Sequence, residues 1–519
     1  MCQLLKTVAA VACFYLLVCL PARAQVVLNE VCADTGGAAL SPGGTTADYI
    51  ELFNAGTGAV DLTGWSLTDD VKVPNKYVLP AGTSLAARSN LVVWLDSAVY
   101  PGLVCTNFSL KSSGEAVGLY QGTVRKDYLK FGPQAVGMAL CRVPDGDGAW
   151  SAGSLTPGRP NQALATTAFG TPFALRLNEW LADNSDGSDW VEVYNPKTNG
   201  LVALGGLVIS DQTGTVTTPA IIPNTFIAAG GFLKFVCDGS TNQGDHLDIK
   251  LSSTFGETLT IYAANRLAIL DRVVFGTQAT DVSMGRIPDG GTNFIYFAGT
   301  NYMSPGAPNA YRPLTNIVIN EILAHTDPPL EDAIELYNPT AAAVEVSGWW
   351  LSNDPDAPYK FRIPAGTTIP AGRYMVFYEQ NQLNGFSSVA GFNRSGTGVA
   401  PDFTFNSAHG DSAVLNQALA NGALTGVRVT KGFGPSANGV SFGRYVKSDG
   451  GVDYVAMAAR TFGTDTPFSV TQFRAGTGLS NSYPLVGPLI ISEVYYQPPP
   501  VISAGVTNDN SSDEFIELT

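Results

Sequence analysis

"DYIELFNAGTGAVDLTGWSLTD" occupies residues 48–69, and "DAIELYNPTAAAVEVSGWWLSN" occupies residues 332–353. Each reads as strand, turn, strand. In the first, Ile50 and Leu52 alternate with Tyr49, Glu51 and Phe53, which assigns Ile50 and Leu52 to one face of a sheet. Asn54 suits the turn that follows. Leu62, Trp65 and Leu67 supply a second apolar set, and Gly64 allows the bend before Trp65. Trp65 and Trp349 are expected in the core, against Ile50 and Ile334 respectively, because an indole buries a large area wherever it can.

Outward from these stretches the chain repeats itself. "VVLNEV" (26–31), "LRLNEW" (175–180), "IVINEI" (317–322) and "LIISEV" (489–494) are alternating strands with Glu30, Glu179, Glu321 and Glu493 at the fifth place. "DYIELFN", "DWVEVYN", "DAIELYN" and "EFIELT" follow them, and then a third block, which is degenerate as "VALGGLVISD" (202–211) in the second copy. A fourth block, "YVLPAGTSLAARSNLVVWLD", "AIIPNTFIAAGGFLKFVCD" and "FRIPAGTTIPAGRYMVFYEQ", breaks two apolar strands with Pro and Gly or Asn. Copies one and two end in "TPGRPN" and "SPGAPN", an ending that copy three lacks. The intervals between equivalent glutamates are 149, 142 and 172 residues, a domain-sized period and not that of a solenoid. Short strands, frequent turn signals and almost no helical periodicity predict an all-β fold of tandem antiparallel sandwiches.

The blocks together resemble the lamin-tail domain, in the version found in secreted bacterial proteins. The resemblance rests on the x-I-x-E opening, D-x-I-E-L-x-N, V-D-L-x-G-W-x-L and P-A-G-T. It covers three copies and the start of a fourth. It implies immunoglobulin-like β-sandwiches acting as binding or adhesion modules, as the fold is tied to partner binding in nuclear lamins. The second copy departs from the pattern at Leu207, which stands where Trp65 and Trp349 stand. The expected layout is a signal peptide (1–24), modules at 25–165, 172–312 and 314–485, and at 488–519 the opening of an incomplete fourth module cut from a longer chain.

Composition agrees with that class. The 519 residues include 56 glycines and 32 prolines, with 14% charged and 10% aromatic residues, a turn-rich and foldable mixture. Residues 1–24, "MCQLLKTVAAVACFYLLVCLPARA", have a basic start, an apolar run too short to span a membrane comfortably and a small-x-small cleavage site, so a secreted or cell-surface protein with no membrane span after cleavage is expected. The net charge of −15 argues against nucleic acid as a partner. Cys32, Cys105, Cys141 and Cys237 remain after cleavage; they form no repeating disulfide framework, and one bridge among the first three or buried free thiols are both open.

The acids are the main candidates for chemistry. A strand glutamate and a D-x-x-E pair recur in each copy: Glu30 with Asp48 and Glu51, Glu179 with Asp189 and Glu192, Glu321 with Asp332 and Glu335. If the two strands pair, the carboxylates approach one another and form a candidate Ca²⁺ site, aided by the Asp-rich loops 144–148 and 182–189. The alternatives are a solvated sheet face, or pairing with the repeated Arg142, Arg286 and Arg444. "GVSFG" (439–443) matches a nucleophile elbow, but Ser441 falls in a strand, at the place of Ser283 and Gly137, where no strand-to-helix turn is expected. His246, His325 and His409 share no repeat position and have no zinc spacing. No catalytic residue and no cofactor other than calcium is assigned. The expected function is binding of a protein or glycan ligand through the loops that vary between copies, 32–47, 181–188, 323–331 and 495–513. The rival is that these modules are non-catalytic appendages of an extracellular hydrolase or nuclease encoded beyond residue 519.

Overall fold

The strand Val26–Cys32 pairs on one side with Asp48–Asn54 and on the other with Ala139–Val143, so the first block of the repeat lies at the centre of a sheet. The computed structural model describes residues 25–97, 103–106, 108–298, 302–379, 391–392, 403–487, 489, 491–508 and 513–518. The leader at 1–24 lies outside them. Two compact units divide the chain: Met1–Leu177 with Asp186–Thr277, and Asn178–Ser185 with Gln278–Thr519.

In the first unit the sheet runs Ala149–Gly153, Ala139–Val143, Val26–Cys32, Asp48–Asn54, Asn90–Leu95, Val104–Cys105. A second sheet runs Val124–Lys130, Ala116–Gln121, Trp65–Thr68, Tyr77–Val78. Their facing sides enclose one core, which holds Leu28, Ile50, Leu52, Trp65, Leu67 and Val93. Trp65 and Ile50 share that core, with Trp65 6% exposed. The sandwich is antiparallel except at its edge, where Val104–Cys105 joins Asn90–Leu95 in parallel. From the second copy, this unit holds the three-stranded sheet of Val208–Ser210, Glu257–Tyr262 and Ile269–Phe275, and Asp189–Tyr194 paired with Phe232–Cys237.

In the second unit, Glu179 and Trp180 pair with Gly285 and Met284, and Val282–Arg286 pairs with Phe294–Ala298. The third copy repeats the two-layer plan. One sheet runs Tyr374–Tyr378, Ala333–Tyr337, Val318–Leu323, Ser441–Val446, Val452–Ala456; the other runs Arg312–Pro313, Leu424–Phe433, Asp411–Ala418, Trp350–Ser352, Phe361–Arg362. Ile334 and Trp349 lie in the core between them. The α-helix among the described residues, Val470–Phe473, is a single turn capped by Ser469. The fold is thus all-β, built of tandem immunoglobulin-like sandwiches.

The solvated-face alternative fails. Tyr49, Glu51 and Phe53 alternate with core residues, yet Tyr49 and Glu51 are fully buried and Phe53 nearly so. The reason is a second, smaller core on the back of the sheet, where Cys32, Tyr49, Trp94 and Ala139 pack with Leu155 from the segment after the last strand. Among the described residues Cys32, Cys105, Cys141 and Cys237 are free thiols, and burial pushes Cys32 and Cys141 up to about 12. Near the end of the chain Ile491–Tyr495 pairs with Phe515–Leu518, with Glu493 opposite Glu517 as in copies one and three. Ile516 and Leu518 are 62% and 59% exposed, whereas Ile334 and Leu336 are 0%. Ile491, which pairs with Leu518 as Ile319 pairs with Leu336, is 61% exposed where Ile319 is 0%, and Ile490 lies outside the described residues.

Candidate functional site

The recurring acids converge because the first strand is irregular. Leu28 pairs with Leu52 and Glu30 with Glu51, which leaves Asn29 as the extra residue of a β-bulge. A bulge breaks the alternation of faces. Val26, Leu28 and Val31 enter the main core, while Asn29 and Glu30 both turn to the back of the sheet. Glu30 and Glu51 therefore lie side by side on adjacent strands, and both are fully buried.

A cage of protein donors closes over them. Glu30 accepts from the Tyr49 hydroxyl, from Thr156 N (2.9 Å) and from Thr156 Oγ1 (2.6 Å). Glu51 accepts from Asn29 Nδ2 (2.8 Å) and from Gly158 N (2.7 Å). Asn29 also donates to Asp145 Oδ1 (3.1 Å) and accepts from Gly146 N (2.9 Å). Asn161 completes the enclosure: its N donates to Asp145 Oδ1 (3.1 Å), and its Nδ2 to the carbonyls of Asn29 (3.0 Å) and Arg142 (2.9 Å). The "TPGRPN" ending is thus a clasp, with Thr156, Gly158 and Asn161 each gripping the central strands.

The same parts recur. In the second unit Glu179 accepts from Ser283 Oγ (2.5 Å) and from Ser304 N and Oγ (both 3.1 Å), and Asn178 bonds Asp289 (3.0 Å). Asn309 Nδ2 donates to the carbonyls of Asn178 (3.3 Å) and Arg286 (2.9 Å). Glu192 is fully buried in the first unit. In the third copy Glu321 and Glu335 are opposite across an identical bulge at Asn320. Glu321 accepts from Ser441 Oγ (2.5 Å), Thr461 N (3.0 Å) and the Thr461 hydroxyl, and Glu335 accepts from Asn320 Nδ2 (2.5 Å). Asn481 Nδ2 reaches the carbonyls of Asn320 and Arg444 (both 2.9 Å).

Copy three therefore has the ending that its sequence conceals. Thr461 takes the place of Thr156, and Gly478 and Asn481 take those of Gly158 and Asn161, with the insertion 462–477 between them. The insertion is pinched at its neck, where a Cβ on Gly476 would collide with the Cα of Gly463.

Burial dominates the electrostatics. It pushes Glu30 and Glu321 above the usual carboxylate range, Glu51 and Glu179 to about 7 and Glu335 to about 8; for Glu335 the facing Glu321 adds to the rise. The accepted hydrogen bonds of Glu30, Glu51, Glu179 and Glu321 oppose the shift without cancelling it.

The calcium candidates separate on this geometry. In D-x-x-E the two acids are three apart and so face opposite sides of a strand. Asp48, Asp189 and Asp332 stay out of the cage; each accepts a backbone N–H instead, from Leu110 (2.8 Å), Leu251 (3.1 Å) and Phe405 (3.2 Å). The cage glutamates accept protein N–H and O–H groups, and among the described residues no group of three His, Cys, Asp or Glu could hold a metal ion. This arrangement does not fit Ca²⁺, which takes six to eight oxygen ligands. Nor does Arg142 turn to the glutamates of its copy. Arg142 donates to Leu28 O (2.9 Å) and Gly148 O (3.1 Å) and pairs with Asp127 at 3.2 Å, and Arg286 donates to Gly291 O. Ser441 is a buried strand residue bonded to Glu321 and not an elbow nucleophile. Its counterpart in copy one is Ala139 and not Gly137, because Cys141 opposes Glu30 as Gly443 opposes Glu321.

Sequence reasoning missed Asn29, Asn178, Asn320 and the clasp residues Thr156, Ser304 and Thr461. The signal was present: Asn precedes Glu in all three complete openings. Strict alternation, however, sends neighbours to opposite faces, and only the bulge brings them together.

The two-layer plan is also where comparison with known proteins leads. Residues 20–131 and 312–431 match the Lamin Tail Domain family. No curated protein and no solved structure matches the chain. The matched lamin-tail segments hold the bulged opening strands, Glu30 with Glu51, Glu321 with Glu335, and both core tryptophans. The clasp residues Thr156, Asn161, Thr461 and Asn481 lie beyond the matched ranges. The family is a non-enzymatic immunoglobulin-like module. Among the described residues no helix is long and apolar enough to cross a membrane.

Proposed function

We propose that this chain is a secreted or cell-surface binding protein, an array of three non-catalytic lamin-tail-like modules at 25–165, 172–312 and 314–485 behind a signal peptide. The observation that carries this reading is the contrast between clasp and loops. The caged glutamates turn inward and have structural partners in every copy. The connections between the first two strands differ: 33–47 is held by Ser41 and Thr45 on Asp96, and 324–332 by Asn438 on Asp327 and Arg474 on Glu331. An invariant frame carrying variable, separately braced loops is the arrangement by which sandwich folds recognise ligands.

The test is a screen of the whole chain on an array of extracellular glycans and purified extracellular proteins, beside a variant with 33–47 replaced by a short Gly-Ser turn. A ligand bound by the chain and lost by the variant supports the reading. Absence of any ligand, or the same binding by both proteins, overturns it for this loop.

A further inference from the structure

We infer that a cleft in the third copy, beside Arg444, binds a carboxylate-bearing sugar. The first observation is a difference between copies. The repeated arginine faces an aromatic residue on the next strand: Arg142 opposite Trp150, Arg286 opposite Phe294, Arg444 opposite Tyr454. In copy one its charge is spent internally, with the guanidinium 4.7 Å from the Trp150 ring centroid and paired to Asp127. "DYLKFG" (127–132) becomes "VTKGFG" (429–434) in copy three, so Val429 stands where Asp127 stood. Among the described residues Arg444 has neither an acidic partner nor a side-chain hydrogen bond.

The second observation is what surrounds it. Arg444 lines a cleft of about 410 Å³ with Tyr337, Tyr374, Tyr445, Ser480 and Tyr483. Tyr337 and Tyr374 lie stacked, centroids 4.5 Å apart and planes 24° from parallel, and the Tyr374 hydroxyl is 3.2 Å from Ser480 Oγ. Tyr445 and Tyr483 are 37% and 73% exposed. Tyrosine, serine and arginine together are the composition of recognition surfaces: rigid amphipathic rings, adaptable hydroxyls and a fixed cationic fork. A pyranose ring presents a C–H face to the tyrosines and hydroxyls to Ser480 and the phenols. A carboxylate on that ring matches the planar guanidinium in a bidentate pair. The volume falls within the range of small-molecule pockets, about 300–1,000 Å³. A neutral sugar leaves the uncompensated arginine unexplained, and a simple anion leaves the tyrosines unexplained.

The cleft lies away from the variable loop. Tyr337 ends its strand and Tyr374 begins its own, at the end of the sheet opposite 324–332. The inference shares the binding-module reading but not its surface, so the two fail separately. The test is calorimetric titration of the full chain with a glucuronate-containing disaccharide, its neutral glucose counterpart and an acidic peptide with a free C-terminal carboxylate. The expected result is glucuronate binding at least about tenfold tighter than the neutral sugar, the worth of one charge-assisted bidentate contact. That preference should vanish in Arg444→Gln, whose melting temperature should match the parent because the side chain makes no hydrogen bond. Tyr374→Ala should weaken both sugars, and replacing 324–332 should change neither. Equal affinity for the two sugars, no heat with either, tighter binding of the peptide, or an unchanged preference in Arg444→Gln would overturn the proposal.

Discussion

Asn29 satisfies three groups at once: the carboxyls of Glu51 and Asp145 accept from its amide, and Gly146 N donates to its carbonyl. No apolar side chain can replace that, and each buried partner left unmet costs about 1–3 kcal/mol. Asn29→Ala should therefore destabilise the first copy by about 3 kcal/mol or more in urea unfolding. Glu30→Gln should cost less than about 1 kcal/mol, because the amide keeps an acceptor for Thr156 N and places an NH₂ against a hydroxyl that can accept. A large loss in Glu30→Gln would mean that the buried group works as an anion. At the same scale, Ca²⁺ titration of the chain should give no heat and no rise in melting temperature, because the caged carboxyls already accept protein donors and no third acid joins them among the described residues. Much of this could be read in advance. The core assignments of Ile50, Trp65, Ile334 and Trp349 follow from apolar phase alone. The cage does not, because the recurring Asn-Glu pair of "VVLNEV" does not by itself announce a bulge, and a strand glutamate looks the same whether it faces water or a second core.

The elements show how a clasp survives rearrangement. In copies one and two the hydroxyl, glycine and asparagine sit within six residues, as "TPGRPN" and "SPGAPN". In copy three sixteen residues, 462–477, separate Thr461 from Gly478, yet the Gly-to-Asn spacing stays at three. The clasp is two contacts, a hydroxyl residue on the first glutamate and an asparagine amide on the carbonyls of the bulge asparagine and the repeated arginine, and the chain between is free to lengthen if its ends meet. Closing a longer loop adds little entropy cost, about 0.6 kcal/mol per doubling. The insertion anchors itself with Phe462 and Phe473 packed against Leu323, Ala333 and Val376. This is why pattern matching lost the ending. The sequence neighbours it sought are neighbours only in space. The pinch at Gly463 and Gly476 is the weak point, since any Cβ on Gly476 must displace backbone. Gly476→Ala should lower the melting temperature of the third copy, whereas Gly366→Ala should cost only the strain of its positive φ, because open space surrounds that Cβ. Equal losses would show that the neck is not under steric control.

At the scale of the whole molecule, the buried acids determine how stability responds to pH. Besides the cage glutamates, burial pushes Asp48 to about 6, Glu115 to about 7 and Asp332 to about 8. In the unfolded chain such groups ionise near pH 4. Between that value and the folded one, the native protein holds protons that the unfolded chain has released. Stability then falls as pH rises, by about 1.4 kcal/mol per pH unit for each such group, and levels off above the folded value. The direction is opposite to that of a protein held by ionised salt bridges. The net charge of −15 acts the same way, since self-repulsion among acids grows with pH. Salt separates the two causes, because it screens surface repulsion and leaves desolvation of buried carboxyls largely untouched. In high salt, melting temperatures should still fall by about 5 °C or more between pH 5 and pH 7.5. Glu30→Gln, which cannot ionise and whose NH₂ faces the Thr156 hydroxyl, should flatten part of that slope and leave the value at pH 5 nearly unchanged. A profile that is level or rises with pH in high salt would mean that the caged carboxyls are anions stabilised by their donors.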